Sequence, residues 1–283
     1  MYNYPRLLSE KNIMTKMTFF FLFVISMIFL FACFGRVLAP ISDSPYYKYI
    51  LQTLMAFFVF LVPALVFAFL YHNHGETTFG YLSQNKRPSL LLVVLGVSVS
   101  LLAIPLINGL SSLNKMVWPE DAERVAKNIA MLTEGDSSFL FIRLLVVAVI
   151  PAVTEEMFFR GFLQNCLSKQ IGAVRAICIS ALVFSLAHDD LSGVLPRFLL
   201  GCFLGYLLAR SGSLWLPIIV HFFNNAVIVT CYFYFFDSEI GDCFIGQWGS
   251  DSVLVALISA VAVAGCVYLI QKYSNRTSQS EPV

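Results

Sequence analysis

Eight apolar runs of near membrane-spanning length follow one another along this chain, at 17–38, 50–71, 89–110, 139–167, 175–188, 194–209, 214–236 and 252–271. One helical crossing of the hydrocarbon core takes about 20 apolar residues. In lipid every backbone polar group needs an internal partner, so only helices and closed barrels span. Runs this long therefore restrict the chain to an all-α, polytopic membrane bundle of about eight transmembrane helices, with 175–188 and 194–209 the short ones. The charge content agrees: 12% of residues are charged, against about 25% in soluble domains. Mean hydropathy is +0.78. A net charge of +1 gives nucleic acid no bulk electrostatic attraction. Membrane lipid is the expected surroundings, and a multi-pass protein of the cell's inner (plasma) membrane the expected location.

The first run is longer than a signal-peptide core of about 7–15 residues, so it is read as an uncleaved span. Basic residues set the orientation. Arg6, Lys11, Lys16, Lys86, Arg87, Lys169, Arg175, Arg210, Lys272 and Arg276 all fall on one side if eight spans alternate. The opposite side collects acids, with Arg36, Lys48, Lys115, Arg124, Lys127, Arg143 and Arg197 as its basic exceptions. Both termini are then cytoplasmic. The polar stretch 111–138 contains "PEDAERVAKNIAML", where acids precede cations and Pro119 suits a helix's first turn, so a short interfacial helix is expected. The tail "SNRTSQSEPV" has the composition of a disordered segment. The chain thus divides into N-terminal spans with the interfacial segment (1–138), a central unit (139–236), and a last span with its tail (237–283). The seven Cys form no CxxC pair and mostly sit in apolar runs, where Cys is a small hydrophobe. Only Cys231 and Cys243 flank a single loop that allows a disulfide.

Against this background a few polar residues stand out, because a charge at mid-bilayer costs about 2.5–3.5 kcal/mol on insertion scales. In "AVIPAVTEEMFFRGFLQNCL" two adjacent acids and a cation interrupt an apolar helix. Glu156 and Arg160 are four apart with the acid first, so they share a face and pair. Glu155 is turned about 100° away and is left for chemistry. His188 closes "FSLAH", with Phe184 four residues back on its face. In "HFFNN", His221 and Asn225 share a face and Asn224 points elsewhere. Asn225 is either helix glue or a functional donor. Arg197 is expected to snorkel outward. At 1.5 Å rise per residue, Glu155 is about 21 Å from Lys169, His188 about 20 Å from Arg175, and His221 about 12–16 Å from the Ser213–Arg210 edge. The three share one broad depth and can meet.

Two imidazoles and a carboxylate suit a divalent ion such as zinc, which takes N and O ligands and keeps a position open for water. Glu155, His188 and His221 are that candidate set. Bound water then loses a proton near neutral pH, a Glu serves as general base, and Asn225 is placed to stabilise an oxyanion. These are the parts of peptide hydrolysis inside a membrane. There is no HExxH, no GxSxG and no pair of intramembrane aspartates.

"EEMFFRG" fits EExxxR, "FSLAH" fits FxxxH and "HFFNN" fits HxxxN, in this order on successive late spans. Over residues 139–236 the chain resembles the CPBP family, the CAAX-processing and bacteriocin-processing glutamic-type intramembrane proteases, also called Abi proteins. The resemblance implies that Glu155 activates water. It implies that His188, His221 and Asn225 bind metal or stabilise the oxyanion, and that Glu156 and Arg160 shape the site. It leaves metal dependence open. The expected activity is endoproteolysis of a membrane-associated peptide or protein. A non-catalytic bacteriocin self-immunity or partner-binding role is the alternative from the same family. A proton-relay transporter is disfavoured because no inverted repeat is visible. His72 and His74, an H-x-H pair beside Glu76, are read as a solvated loop. Trp118, Trp215 and Trp248 are read as interfacial anchors.

Overall fold

The computed structural model describes residues 13–41, 44, 46–71, 80, 82, 87–135, 137–188, 190–236, 238 and 252–280. His72, His74, Glu76, Asp189, Cys243 and Trp248 lie outside them. Every regular element among the described residues is helical. In chain order these are α1 (Ile13–Leu38), α2 (Tyr47–Leu70), α3 (Leu90–Leu102), α4 (Ile104–Val117), α5 (Ala122–Thr133), α6 (Ser137–Ile171), α7 (Ala173–Leu186), α8 (Val194–Ser211), α9 (Trp215–Phe235) and α10 (Ser252–Ser280).

Six of these helices are long and apolar enough to cross a membrane, and α3 with α4, bent by 43° between them, count as a seventh if the pair is one span. The bend falls at Ala103, ahead of Pro105, which cannot continue the α3 hydrogen-bond ladder. At 14 residues α7 is only about 21 Å long, short of a core about 30 Å thick. The expected eight positions are therefore all helical, but one does not cross on its own. Two boundaries differ from expectation. The interfacial helix begins at Ala122, because Asp121 accepts from the backbone of Glu123 and Arg124 as its N-cap, which leaves Pro119 ahead of the helix. The last helix runs on to Ser280, into the stretch expected to be disordered, whose residues 281–283 lie outside the described ones. No Gly or Pro interrupts it there.

Buried phenylalanines knit α1, α2 and α6 together. The Phe20 ring lies 4.7 Å from Phe162, 5.1 Å from Phe67 and 5.2 Å from Phe158. By contrast α1 and α10 present large apolar side chains outward, among them Phe29, Val37, Leu257 and Val261. Such surface suits lipid rather than water. Arg143, counted above among the basic exceptions of the acidic side, is fully buried. Its Nε donates to Met131 O at 2.7 Å and its Nη2 donates to Glu134 O. Tyr49 Oη also donates to Met131 O, at 2.9 Å. A cation thus closes the C-terminal end of α5 and ties that helix to the bundle.

Candidate active site

The site is organised by α6, whose ladder is disturbed around Pro151. Helical turns widen to π geometry at Leu144–Val149 and again at Met157–Gln164, a departure often found at functional sites. Pro151 has no N–H to offer Val147 O four residues back. That carbonyl accepts instead from Asn225 Nδ2 of α9 at 3.1 Å. Within the second widened turn, Phe159 O accepts from Ser180 Oγ of α7 at 2.9 Å. The irregularities of α6 are thus where its neighbours attach.

Glu156 and Arg160 form the expected pair, 2.8 Å apart and wholly buried. Arg160 Nη2 donates onward to Gly201 O at 3.1 Å, and one turn later Gln164 Nε2 donates to Gly205 O at 3.0 Å. Both glycines are on α8. A Cβ on Gly205 would stand 2.5 Å from Gln164 Oε1, and one on Gly201 would stand 2.9 Å from Ala181 Cβ. Bare backbone at Gly205 lets α8 come close to Gln164, and at Gly201 it lets α8 come close to α7. The Arg160 guanidinium also lies 4.6 Å from the Phe184 ring centre, a cation–π contact strengthened by burial.

One contact adds to the expected division of labour between the two acids. His221 Nδ1 donates to Glu156 Oε1 at 2.8 Å. The acid in contact with His221 is therefore Glu156, because α9 packs on the side of α6 that carries residue 156. Glu155 is buried at 7% exposure, and its Oε2 has no hydrogen-bond partner. Among the described residues it makes no ion pair. It lines a cavity of about 380 Å³ together with His188, His221 and Asn225. The four candidate residues do converge on one space, but without direct contacts from Glu155.

His188 stands just past the end of α7, on the exposed side of the turn, with Nδ1 donating to Phe184 O at 2.9 Å. The Phe184 ring is edge-on to both imidazoles, 5.0 Å from His188 and 6.0 Å from His221. Both His residues use Nδ1–H as a donor, so in the neutral form each keeps a lone pair on Nε2. Arg197 does not snorkel. Both of its terminal nitrogens lie 3.2 Å from Asp190 Oδ2, at the cavity wall. Burial raises the Asp190 carboxyl, but hydrogen bonds from Ser192 and Arg197 outweigh it and hold the group below the usual carboxylate range. Asn225 has one amide hydrogen committed to Val147 O, and its Oδ1 accepts from Asn224 at 3.1 Å. The helix-glue reading of Asn225 is thus realised, with one hydrogen left over. Cys231, also at the cavity wall, is buried, and its suggested disulfide partner is not among the described residues.

The donor set does not fit a metal as arranged. Among the described residues no three His, Cys, Asp or Glu side chains are grouped to hold an ion. The Glu156 oxygen facing His221 is already shared with Arg160. Sequence reasoning missed Gln164, Gly201 and Gly205. Their signal was present as a glutamine in an apolar helix and two glycines four apart.

Residues 137–227, which contain all three motifs, match the family described as "Type II CAAX prenyl endopeptidase Rce1-like". The curated protein "Putative membrane peptidase YdiL" of Bacillus subtilis (strain 168) is 28% identical over 86 residues, 30% of this chain and 35% of that relative. The chain thus matches about a third of that relative's length. No solved structure matches this chain. The two matches support membership of the CPBP family.

Proposed function

We propose that this chain is an intramembrane endopeptidase of the CPBP type, resident in the plasma membrane with both termini cytoplasmic, that hydrolyses a peptide bond of a membrane-associated substrate. The observation that carries the reading is Glu155, a buried carboxylate without a partner, set against a cavity that two imidazoles and a carboxamide share. A lone buried carboxylate is costly, and structural acids in lipid are normally paired. Its neighbour Glu156 meets that rule. Glu155 does not, so a working role explains it better than a supporting one.

In this reading Glu155 and the His188 Nε2 lone pair hold a water in the cavity. Glu155 takes the water's proton as the oxygen attacks the substrate carbonyl carbon. The oxyanion that forms accepts the second amide hydrogen of Asn225. Protonated Glu155 then gives its proton to the departing amine as the C–N bond breaks. Glu156 holds His221 in one ring orientation, and Arg160 balances the charge of Glu156. No step uses a metal. The test is turnover of a fluorogenic peptide panel by the purified protein and by the Glu155→Gln and His221→Ala variants. Loss of turnover in both is expected. Equal turnover in all three proteins would sink the reading.

A further inference from the structure

His188 is the site residue least secured by its own helix. It follows the last turn of α7, and a 3-10 turn at Leu191–Gly193 leads into α8. That turn joins α7, about 21 Å long by its 14 residues, to α8. Backbone polar groups of such a turn that are shut away from water need partners within the protein.

The start of α8 lacks a side-chain cap of its own. Its N-cap is Gly193, which has no side chain to cap the first turn. A Cβ there would stand 2.6 Å from Arg197 Nη1, the mobile end of a long side chain. The missing cap comes from another helix. Asn114 of α4 is buried at 4% exposure. Its Nδ2 donates to Leu191 O at 2.8 Å and to Ser192 O at 2.6 Å, and its Oδ1 accepts from Leu195 N at 3.1 Å. Three hydrogen bonds thus reach this turn from α4 through that one carboxamide. The α4 helix also lines the cavity through Ile104, Ile107 and Asn108.

We propose that Asn114 is a positioning residue for His188: it caps α8 from outside and thereby fixes where the His188 turn stands relative to Glu155. Asn114 lies outside the segment 137–227 matched to the family, so on this proposal the N-terminal spans complete the site. The kinetic consequence rests on the peptidase reading above. The structural consequence does not.

The experiment compares wild type with Asn114→Ala, which removes all three bonds, and Asn114→Gln, which keeps a carboxamide on a stem one carbon longer. Helix content and thermal transition in detergent report folding. Peptide turnover gives kcat and KM, and isotope-edited NMR of the imidazoles follows each His through a pH titration. The chain has four His, so single His→Gln variants assign every signal. The expected result is a fall in kcat of about 10–100-fold with KM changed by less than about 3-fold, the scale of a group misplaced by about 1 Å. The His188 signal shifts or broadens in both variants while that of His221 stays. If Asn114→Ala does not fold, Asn114→Gln decides, since it keeps a carboxamide at the contact between α4 and the turn. Wild-type kcat with an unmoved His188 signal in a folded variant overturns the positioning role and leaves the peptidase reading standing. A wild type that hydrolyses nothing, with a His188 signal that still moves in the variants, supports the positioning role and overturns the peptidase reading.

Discussion

Two stripes of the same helix, one residue out of phase, meet opposite worlds. Val147, Pro151 and Glu155 of α6 line the cavity. Glu156, Arg160 and Gln164 face α8 and α9 in a core from which solvent is excluded. On the dry stripe the charges cancel at 2.8 Å, and the remaining donors reach the carbonyls of Gly201 and Gly205. On the cavity stripe the carboxylate has no counterion in contact. A turn of about 100° per residue is enough to make one glutamate part of the scaffold and the next available for reaction. The comparison also shows that the scaffold acid is not inert, since it orients His221.

The largest expected effect breaks the symmetry between the two acids. Glu155→Gln should lower turnover by about 10²–10⁴-fold, the usual contribution of a general base. Its unfolding temperature should match or exceed wild type, because a buried amide is cheaper than an unpaired buried carboxylate. Turnover and thermal unfolding, measured on one preparation, check both halves. A Glu155→Gln protein that is unstable rather than inactive would remove the distinction between the stripes.

On the other stripe the expected loss is in stability. Arg160→Met leaves Glu156 buried without its cation and should destabilise the protein by about 3–5 kcal/mol. Pairing it with Glu156→Leu should restore much of that loss, because removing both charges of a buried pair is often near neutral. Turnover of the double variant should stay low, since His221 has then lost the acceptor for Nδ1. Denaturation of the two proteins beside an activity assay separates the two roles of Glu156. A double variant no more stable than Arg160→Met alone would show that the pair does more than balance charge.

A smaller effect tests the close approach of α8. Gly205→Ala places a methyl 2.5 Å from Gln164 Oε1 and 3.2 Å from Ile177. Overpacking of this kind costs about 1–3 kcal/mol. The thermal transition should fall accordingly, with turnover per folded molecule little changed, because nothing on the cavity stripe moves. An unchanged transition would mean that α7 and α8 separate at little cost, against the packing described above.

Much of this was legible in the sequence, for physical reasons that can be named. Apolar run length fixed the helices, and spacing of four residues paired Glu156 with Arg160. Depth along each span brought Glu155, His188 and His221 to one level. What periodicity cannot express is which neighbouring helix packs on which side. That is why the His221 contact went to Glu156, why Arg197 turned to Asp190 instead of outward, and why Asn114 went unnoticed as a polar residue near the end of a span. The bend at Ala103 and the widened turns of α6 are likewise set by tertiary packing around single prolines. Each carries a weak local signal in Pro105 or Pro151, but the direction of the bend lies in the neighbours.

The smallest expected effect is the most informative about chemistry. Glu155, His188 and His221 were read as a ligand set for zinc, and their residue types are right for it. Their arrangement is not, because a tetrahedral site needs its donors about 2.0–2.2 Å from one point and no such grouping exists among the described residues. His221 is also held through Nδ1 by an acid whose other partner is a guanidinium, and Arg160 adds a positive charge beside any cation placed there. Dialysis against a strong chelator should therefore change peptide turnover by less than about 2-fold, within the scatter of an assay, where loss of a metal that generates the nucleophile would remove most of the rate. Metal analysis of the same sample gives the matching stoichiometry, expected well below one per chain. Turnover abolished by chelation and restored by zinc would mean that the cavity stripe closes around an ion when substrate enters, and that Glu155 is unpartnered because it awaits a metal rather than a water.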